Sequence, residues 1–214
     1  MWRAVASGRF ITLEGGEGAG KSTQALRLAE RLRAKGQEVV LTREPGGSPG
    51  AETIRGLLVT GDADRWSALT ETLLMCAARR DHVERTIAPA LARGAWVVSD
   101  RFADSTRAYQ GAGGGVPTAF IAVLEAQVVG DARPDLTVIL DLPAEAGLAR
   151  AASRPHGETR FEEKGEAFHR RLRDGFLSLA RAEPGRCVVV DAGADPESVA
   201  AAIWEIVQAR LIGA

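Results

Sequence analysis

Short apolar runs alternate with longer amphipathic stretches along the chain. The runs at 10–13, 39–42, 96–99, 136–142 and 187–191 are nearly continuous in apolar residues, the pattern of parallel strands buried on both faces. The stretches 21–35, 51–58, 67–93, 118–129, 144–152, 164–181 and 196–211 read as helices. Gly36 and Gly94 stand where C-terminal caps are expected, and Pro117, Pro143 and Pro196 where helices begin. The alternation predicts an α/β fold, a doubly wound parallel five-stranded sheet with helices on both faces. There is no internal repeat and no long linker, so residues 1–214 read as a single domain.

Three stretches are poor core material. Residues 43–50 form a polar glycine-proline loop, 111–115 are dense in glycine, and 153–164 are polar and charged between two helices. Ligand loops of a parallel sheet follow the carboxyl ends of its strands. Arg43 and the pair Asp100-Arg101 come directly after strand runs, so their loops should open on the edge where the first strand ends.

Directly after the first strand run the chain reads Gly15-Gly16-Glu17-Gly18-Ala19-Gly20-Lys21-Ser22-Thr23. This segment matches G-x-x-x-x-G-K-[ST], between the strand and helix the motif requires. Glycines let the backbone turn its N–H groups inward, and the helix start adds the positive end of its dipole. Lys21 would bring a point charge to the outer phosphates of a nucleotide, and the Ser22 hydroxyl is placed for Mg²⁺.

Composition narrows the partners. The formal net charge of -1 argues against a protein that coats nucleic acid. No apolar run approaches the roughly 20 residues of a membrane span, and 1–8 lacks the apolar centre of a signal peptide. Cys76 and Cys187 lie far apart in apolar surroundings without metal-ligand spacing, which predicts buried, reduced thiols and a cytoplasmic location. Arginine suits the grip of phosphate oxygens, and Arg43, Arg79, Arg101, Arg150, Arg154 and Arg160 fall in loops or on helix faces near the predicted site. Taken singly, each also reads as a solvated charge.

Four segments carry a resemblance: Thr42-Arg43-Glu44-Pro45-Gly46-Gly47, Asp100-Arg101-Phe102, Ser105-Thr106-Arg107-Ala108-Tyr109-Gln110-Gly111 and Arg133-Pro134-Asp135-Leu136. In order and spacing they resemble the thymidylate kinases, from about residue 9 to near the C-terminus. The resemblance implies a P-loop nucleoside monophosphate kinase fold with a short mobile lid at about 153–164. It implies transfer of the γ-phosphoryl group of ATP to dTMP with Mg²⁺, in dTTP biosynthesis. It also implies a homodimer, for which the apolar residues of 69–78 and 120–129 could serve, or could instead face the sheet.

Carried over by position, residues 15–23 would hold the ATP phosphates through Gly15, Gly16, Glu17, Gly18, Ala19, Gly20, Lys21, Ser22 and Thr23, with Arg150 nearby. Ser22 and Asp100 would serve the metal. Glu17 would sit near the dTMP sugar and phosphate. Arg43, Arg79 and Arg101 would surround that phosphate, Thr106 and Gln110 would hydrogen-bond the base, and Tyr109 would pack under the deoxyribose. Lys21, Asp100, Arg101 and Arg154 form the implied catalytic set. Asp100 also fits a helix N-cap, and Tyr109 also fits a core position.

One branch of the family carries an arginine after the acidic residue of the loop. Here that position is Gly18, which implies the bacterial-type branch with a lid cation, Arg154 or else Arg160. The chain departs from the family at Met75, four residues before Arg79, where a phenylalanine usually stacks on thymine. Either the thioether takes that place, or Met75 is core and another side chain stacks. Arg80, Asp81 and His82 carry no evident role, and His156 and His169 read as solvent-facing.

Overall fold

Strand β1 (Phe10–Gly15) is buried at every position, and its neighbours explain why. It lies between β3 (Trp96–Asp100) and β4 (Leu136–Asp141), with β2 (Val39–Arg43) and β5 (Cys187–Asp191) at the edges, in the order β2-β3-β1-β4-β5. All four pairings are parallel, as near-continuous apolar strands require. The computed structural model describes residues 8–62, 64–153 and 160–213.

Alternate strand residues serve opposite faces. Ile11, Leu13, Val98, Val138 and Leu140 meet Leu28 and Leu32 of α1 (Lys21–Ala34) and Ile203 and Trp204 of α9 (Pro196–Val207). Phe10 and Val97 face Ile87, Phe102 and Val129, while Ile139 faces Tyr109, Phe168, Leu172 and Phe176. The sheet is covered on both sides, and its carboxyl edge is left to the loops.

The remaining helices are α2 (Pro49–Val59), α3 (Ala68–His82), α4 (Ala88–Ala92), α5 (Ala103–Thr106), α6 (Thr118–Val129), α7 (Ala144–Ala152) and α8 (Glu166–Ala182). Two differ from the sequence reading. The expected helix 67–93 is continuous but not uniform, because a π-turn at Val83–Ile87 joins α3 to α4. Pro89 has no N–H for the carbonyl one turn back, and the wider turn accommodates it. Residues 103–113, to which the sequence pattern gave no helix, are helical throughout, α5 running on as a π-helix Arg107–Gly113. Tertiary contacts override the glycines there: Arg107 is forked onto Glu125 at 2.7 Å and reaches Glu183 at 2.6 Å. Cys76 and Cys187 are buried free thiols. Among the described residues no helix is long and apolar enough to cross a membrane.

Candidate active site

Register brings the site residues to one edge. Leu13 and Arg43 both pair with Asp100, so the chain leaves β1, β2 and β3 at the same level. The three loops and α3 enclose a cavity of about 570 Å³.

The glycine loop needs its glycines. Gly15, Gly18 and Gly20 have φ of 138°, 67° and 86°, a region that L side chains rarely enter. At Gly18 a β-carbon would lie 2.1 Å from the carbonyl oxygen of Gly147 in α7, and one at Gly147 would lie 2.4 Å from that of Glu17. The loop is thus seated backbone to backbone on α7, and an arginine at Gly18 has no room. Lys21 begins α1 and is almost fully buried, its Nζ donating to the Gly16 carbonyl at 2.6 Å. Burial, then Arg101, lowers its pKa to about 8 against the attraction of Glu17 and Asp100. Ser22 Oγ donates to Asp100 Oδ2, while Asp100 Oδ1 is buried with no hydrogen-bond partner among the described residues.

Arg101 occupies a left-handed turn with φ of 70°, the sole non-glycine residue among those described to do so. Such a conformation costs about 1–2 kcal/mol and persists where neighbours over-determine it. The Arg101 N–H donates to Leu13 O at 2.9 Å, and Ser99 Oγ donates to Arg101 O at 2.7 Å. Glu14, wholly buried, accepts from the Phe102 N–H at 2.8 Å and from Ser105 Oγ at 2.6 Å. Burial, then Asp104, pushes the Glu14 carboxyl up to about 8. So fixed, Arg101 reaches Gly15 O at 3.0 Å and Glu17 at 3.1 Å, and lies over the Tyr109 ring at 4.7 Å. Tyr109 Oη donates to Glu17 at 2.6 Å. Burial alone would raise the Glu17 carboxyl; Arg101, Lys21 and the Tyr109 hydroxyl outweigh it and hold it at about 2.

A second network stands behind the far wall. Glu44 is buried between Arg79 Nε at 2.7 Å and His82 Nδ1 at 2.9 Å, and His82 Nε2 reaches Thr42 Oγ1 at 2.7 Å. Arg79 also donates to Thr106 Oγ1 and to the Phe102 carbonyl, both at 3.0 Å. Asp81 accepts from Ser48 Oγ at 2.6 Å and from the Ala51 N–H at 3.2 Å, holding the start of α2. His82 and Asp81, which the sequence left without a role, therefore support this wall, whereas Arg80 pairs with Glu84 on the surface.

Of the residues singled out in the sequence, Glu17, Gly18, Gly20, Lys21, Ser22, Thr23, Arg43, Met75, Arg79, Asp100, Arg101, Thr106, Tyr109, Gln110 and Arg150 line the cavity. Gly15, Gly16 and Ala19 do not; they shape the loop behind it, and Ala19 joins the core. Arg43 stands exposed at the mouth, 3.3 Å from Glu52. Arg150 Nη1 donates to Ala192 O at 2.9 Å, tying α7 to the loop after β5. Arg154 and His156 lie outside the described residues. Two expectations are corrected. Arg160 is no lid cation but fully buried, 2.7 Å from Glu71 and donating to Leu58 O at 3.0 Å; a charge neutralised in place cannot swing to a phosphoryl group. His169 is buried rather than solvent-facing.

Sequence reasoning missed Glu14, Glu44, Glu71 and Phe161, which meets Tyr109 edge-on at 5.6 Å. The signal for Glu14 was there, a carboxylate wedged between an apolar strand run and the glycine loop. The site also suits a hard divalent cation: Ser22 Oγ and the unpartnered Asp100 oxygen are oxygen donors, and no group of three or more His, Cys, Asp or Glu among the described residues forms a closed cage. Mg²⁺ is commonly held by one or two side chains with phosphates and water completing the shell.

A phosphate loop whose lysine shares one cavity with Arg43, Arg79 and Arg101, at the carboxyl edge of a parallel sheet, defines a P-loop phosphotransferase of the nucleoside monophosphate kinase type. The family model for thymidylate kinase matches residues 13–203. The thymidylate kinase of Caulobacter vibrioides is 65% identical over 97% of this chain and 99% of its own length. That of Jannaschia sp. is 56% identical over 94% and 97%. The crystal structure of thymidylate kinase from Ehrlichia chaffeensis superposes with a TM-score of 0.77 at 36% identity, covering 94% of this chain and 99% of that one. The chain belongs to the thymidylate kinase family. The reaction is transfer of a phosphoryl group from ATP to dTMP, giving ADP and dTDP.

Proposed function

We propose a division of labour within the cavity, as one kinase domain feeding dTTP synthesis. Residues 15–23 hold the ATP phosphates, Arg43 and Arg101 surround the dTMP phosphate, Thr106, Gln110 and Met75 meet the base, and Arg79, held by Glu44, backs Thr106 between the two. The observation that carries this reading is that the phosphate loop with Lys21 lines one cavity together with Arg43, Arg79 and Arg101. Two sets of phosphates must meet there, and cations fixed in advance lower the barrier without reorganising. The acceptor phosphate is already anionic, so neither a strong base nor a covalent intermediate is needed. Asp100 and Ser22 would hold Mg²⁺, whose chemistry is neutralisation of the phosphate oxygens. Asp100 orients Ser22, Glu17 and Tyr109 orient Arg101, and Arg101 faces the phosphates. A lid at about 153–164 would bring Arg154 as its cation, Arg160 being held by Glu71. A coupled assay across dTMP, dUMP, UMP, CMP, AMP and GMP tests the substrate assignment. Turnover should be highest with dTMP, and hydrolysis without an acceptor negligible.

Tyr109 is the candidate for sugar selection, since its ring edge and hydroxyl are both fixed at the cavity wall. In Tyr109→Ala we expect lower kcat/KM for dTMP and a higher ratio of ribothymidine monophosphate to dTMP use. If dTMP use and the ratio both stay the same, the ring is core packing only.

Exposed Leu69 and Leu73 of α3 and Phe120 and Val123 of α6 lie on two helices that pack together. We assign them to a two-fold interface between kinase subunits in the cytoplasm, a compartment that suits two reduced thiols. Val123→Glu should shift the sedimentation coefficient from dimer to monomer; a monomeric parent protein would refute the assignment.

A further inference from the structure

Gln110 and Thr106 line the cavity side by side on one helical turn, and each is polarised from behind by a buried charge. Behind Gln110 stands Glu71 of α3, 2% exposed. Its Oε1 accepts from Gln110 Nε2 at 2.7 Å, and its Oε2 lies 2.7 Å from Arg160 Nη1 and 3.6 Å from Lys164 Nζ. A carboxylate between two cations accepts and does not donate. The amide of Gln110 therefore has one allowed orientation, nitrogen toward Glu71, and the acceptor Oε1 is left for the cavity. Behind Thr106 stands Arg79, which donates to Thr106 Oγ1 at 3.0 Å and so leaves the hydroxyl proton to be given away. The pair presents one acceptor and one donor.

We propose that Glu71 is a specificity-determining positioning residue that makes this site select 4-oxo pyrimidines over 4-amino pyrimidines. The inference rests on the reading that Gln110 and Thr106 meet the base. An acceptor at Gln110 matches the N3–H of thymine or uracil, and a donor at Thr106 matches the 4-carbonyl. Cytosine carries the opposite pattern at both atoms, an unprotonated N3 and a 4-amino group. It would leave both protein groups facing like partners, and sites built to hydrogen-bond discriminate strongly for this reason. Glu71 touches no substrate; it acts by denying Gln110 its other orientation.

Glu71→Gln tests this with a definite direction. Glu71 Oε2 is paired with Arg160 and Lys164 by charge, without a hydrogen bond among the described residues. The new amide should therefore point its oxygen, the negative end of its dipole, at these cations and its nitrogen at Gln110. Gln110 then flips and offers a donor to the cavity. The measurement is kcat/KM for dTMP, dUMP and dCMP within one preparation, whose ratios do not depend on the fraction of protein folded. We expect the dTMP:dCMP ratio to fall at least about tenfold, one mismatched hydrogen bond's worth of discrimination, and the dTMP:dUMP ratio to stay constant. Glu71→Asp keeps the charge for Arg160 while withdrawing the oxygen from Gln110, and should lower the dTMP:dCMP ratio in the same way should the first variant not fold. Gln110→Leu separates the two layers. If Gln110→Leu lowers the ratio and both Glu71 variants leave it unchanged, the positioning role is overturned and the base site stands. If Gln110→Leu also leaves it unchanged, the base-site reading falls and the inference with it.

Discussion

Lys21→Ala should leave a folded protein with turnover reduced at least about 100-fold, the usual cost of removing one preorganised charge from a developing anion. The lysine is nearly buried and held on Gly16 O at 2.6 Å, so its charge is aimed before any nucleotide arrives. Removal should not harm the fold. Burial lowers the ammonium pKa to about 8, below its ordinary value of 10.5, so the folded state binds its proton less tightly than the unfolded chain does. Below about pH 8 the charged lysine therefore costs stability, and that cost disappears as pH rises from about 8 toward 10.5. Thermal melts at neutral pH should show Lys21→Ala at least as stable as the parent. Nucleotide affinity in the parent should weaken as pH rises through about 8, and the variant should lack that step. Near-normal turnover in a folded Lys21→Ala protein would refute the assignment of the loop.

Glu44→Ala should give the largest loss of stability, about 3–5 kcal/mol, the range for breaking one side of a buried ion pair. Arg79 and Glu44 are 3% and 5% exposed at their side chains, and His82 is wholly buried. Without the carboxylate a guanidinium stays inside the protein uncompensated, and His82 loses the partner of its Nδ1. At roughly 2–4 °C per kcal/mol for a chain of this size, the melting temperature should drop by roughly 10 °C. Glu52→Ala, which breaks the exposed pair with Arg43, should lower stability by no more than about 1 kcal/mol. Equal, small shifts in both variants would show that the second network is not a support of the wall.

The sheet was legible in the sequence because its three central strands are buried almost throughout and all five strands are written as apolar runs. The nucleotide loop was legible because its glycines are required one by one. Helix 103–113 was not, since what holds it is Arg107 reaching Glu125 and Glu183, 18 and 76 residues away. The buried carboxylates Glu44 and Glu71 were hidden for the same reason. In sequence a paired buried glutamate looks like a surface one, and only the partner across the fold distinguishes them. Arg160 misled in the opposite direction: in a charged stretch it read as a mobile cation, yet its counter-ion is Glu71 on α3.

The seat of the glycine loop on α7 closes a route that is open to most helical proteins. Replacing a helix glycine by alanine ordinarily gains about 0.5–1 kcal/mol, and Gly147 lies within α7. Here the added methyl would meet the Glu17 carbonyl at 2.4 Å, backbone that cannot yield without moving the amides around it. Any lineage or engineer seeking heat resistance would find this substitution barred, because the weak point of the helix and the seat of the nucleotide loop are the same few atoms.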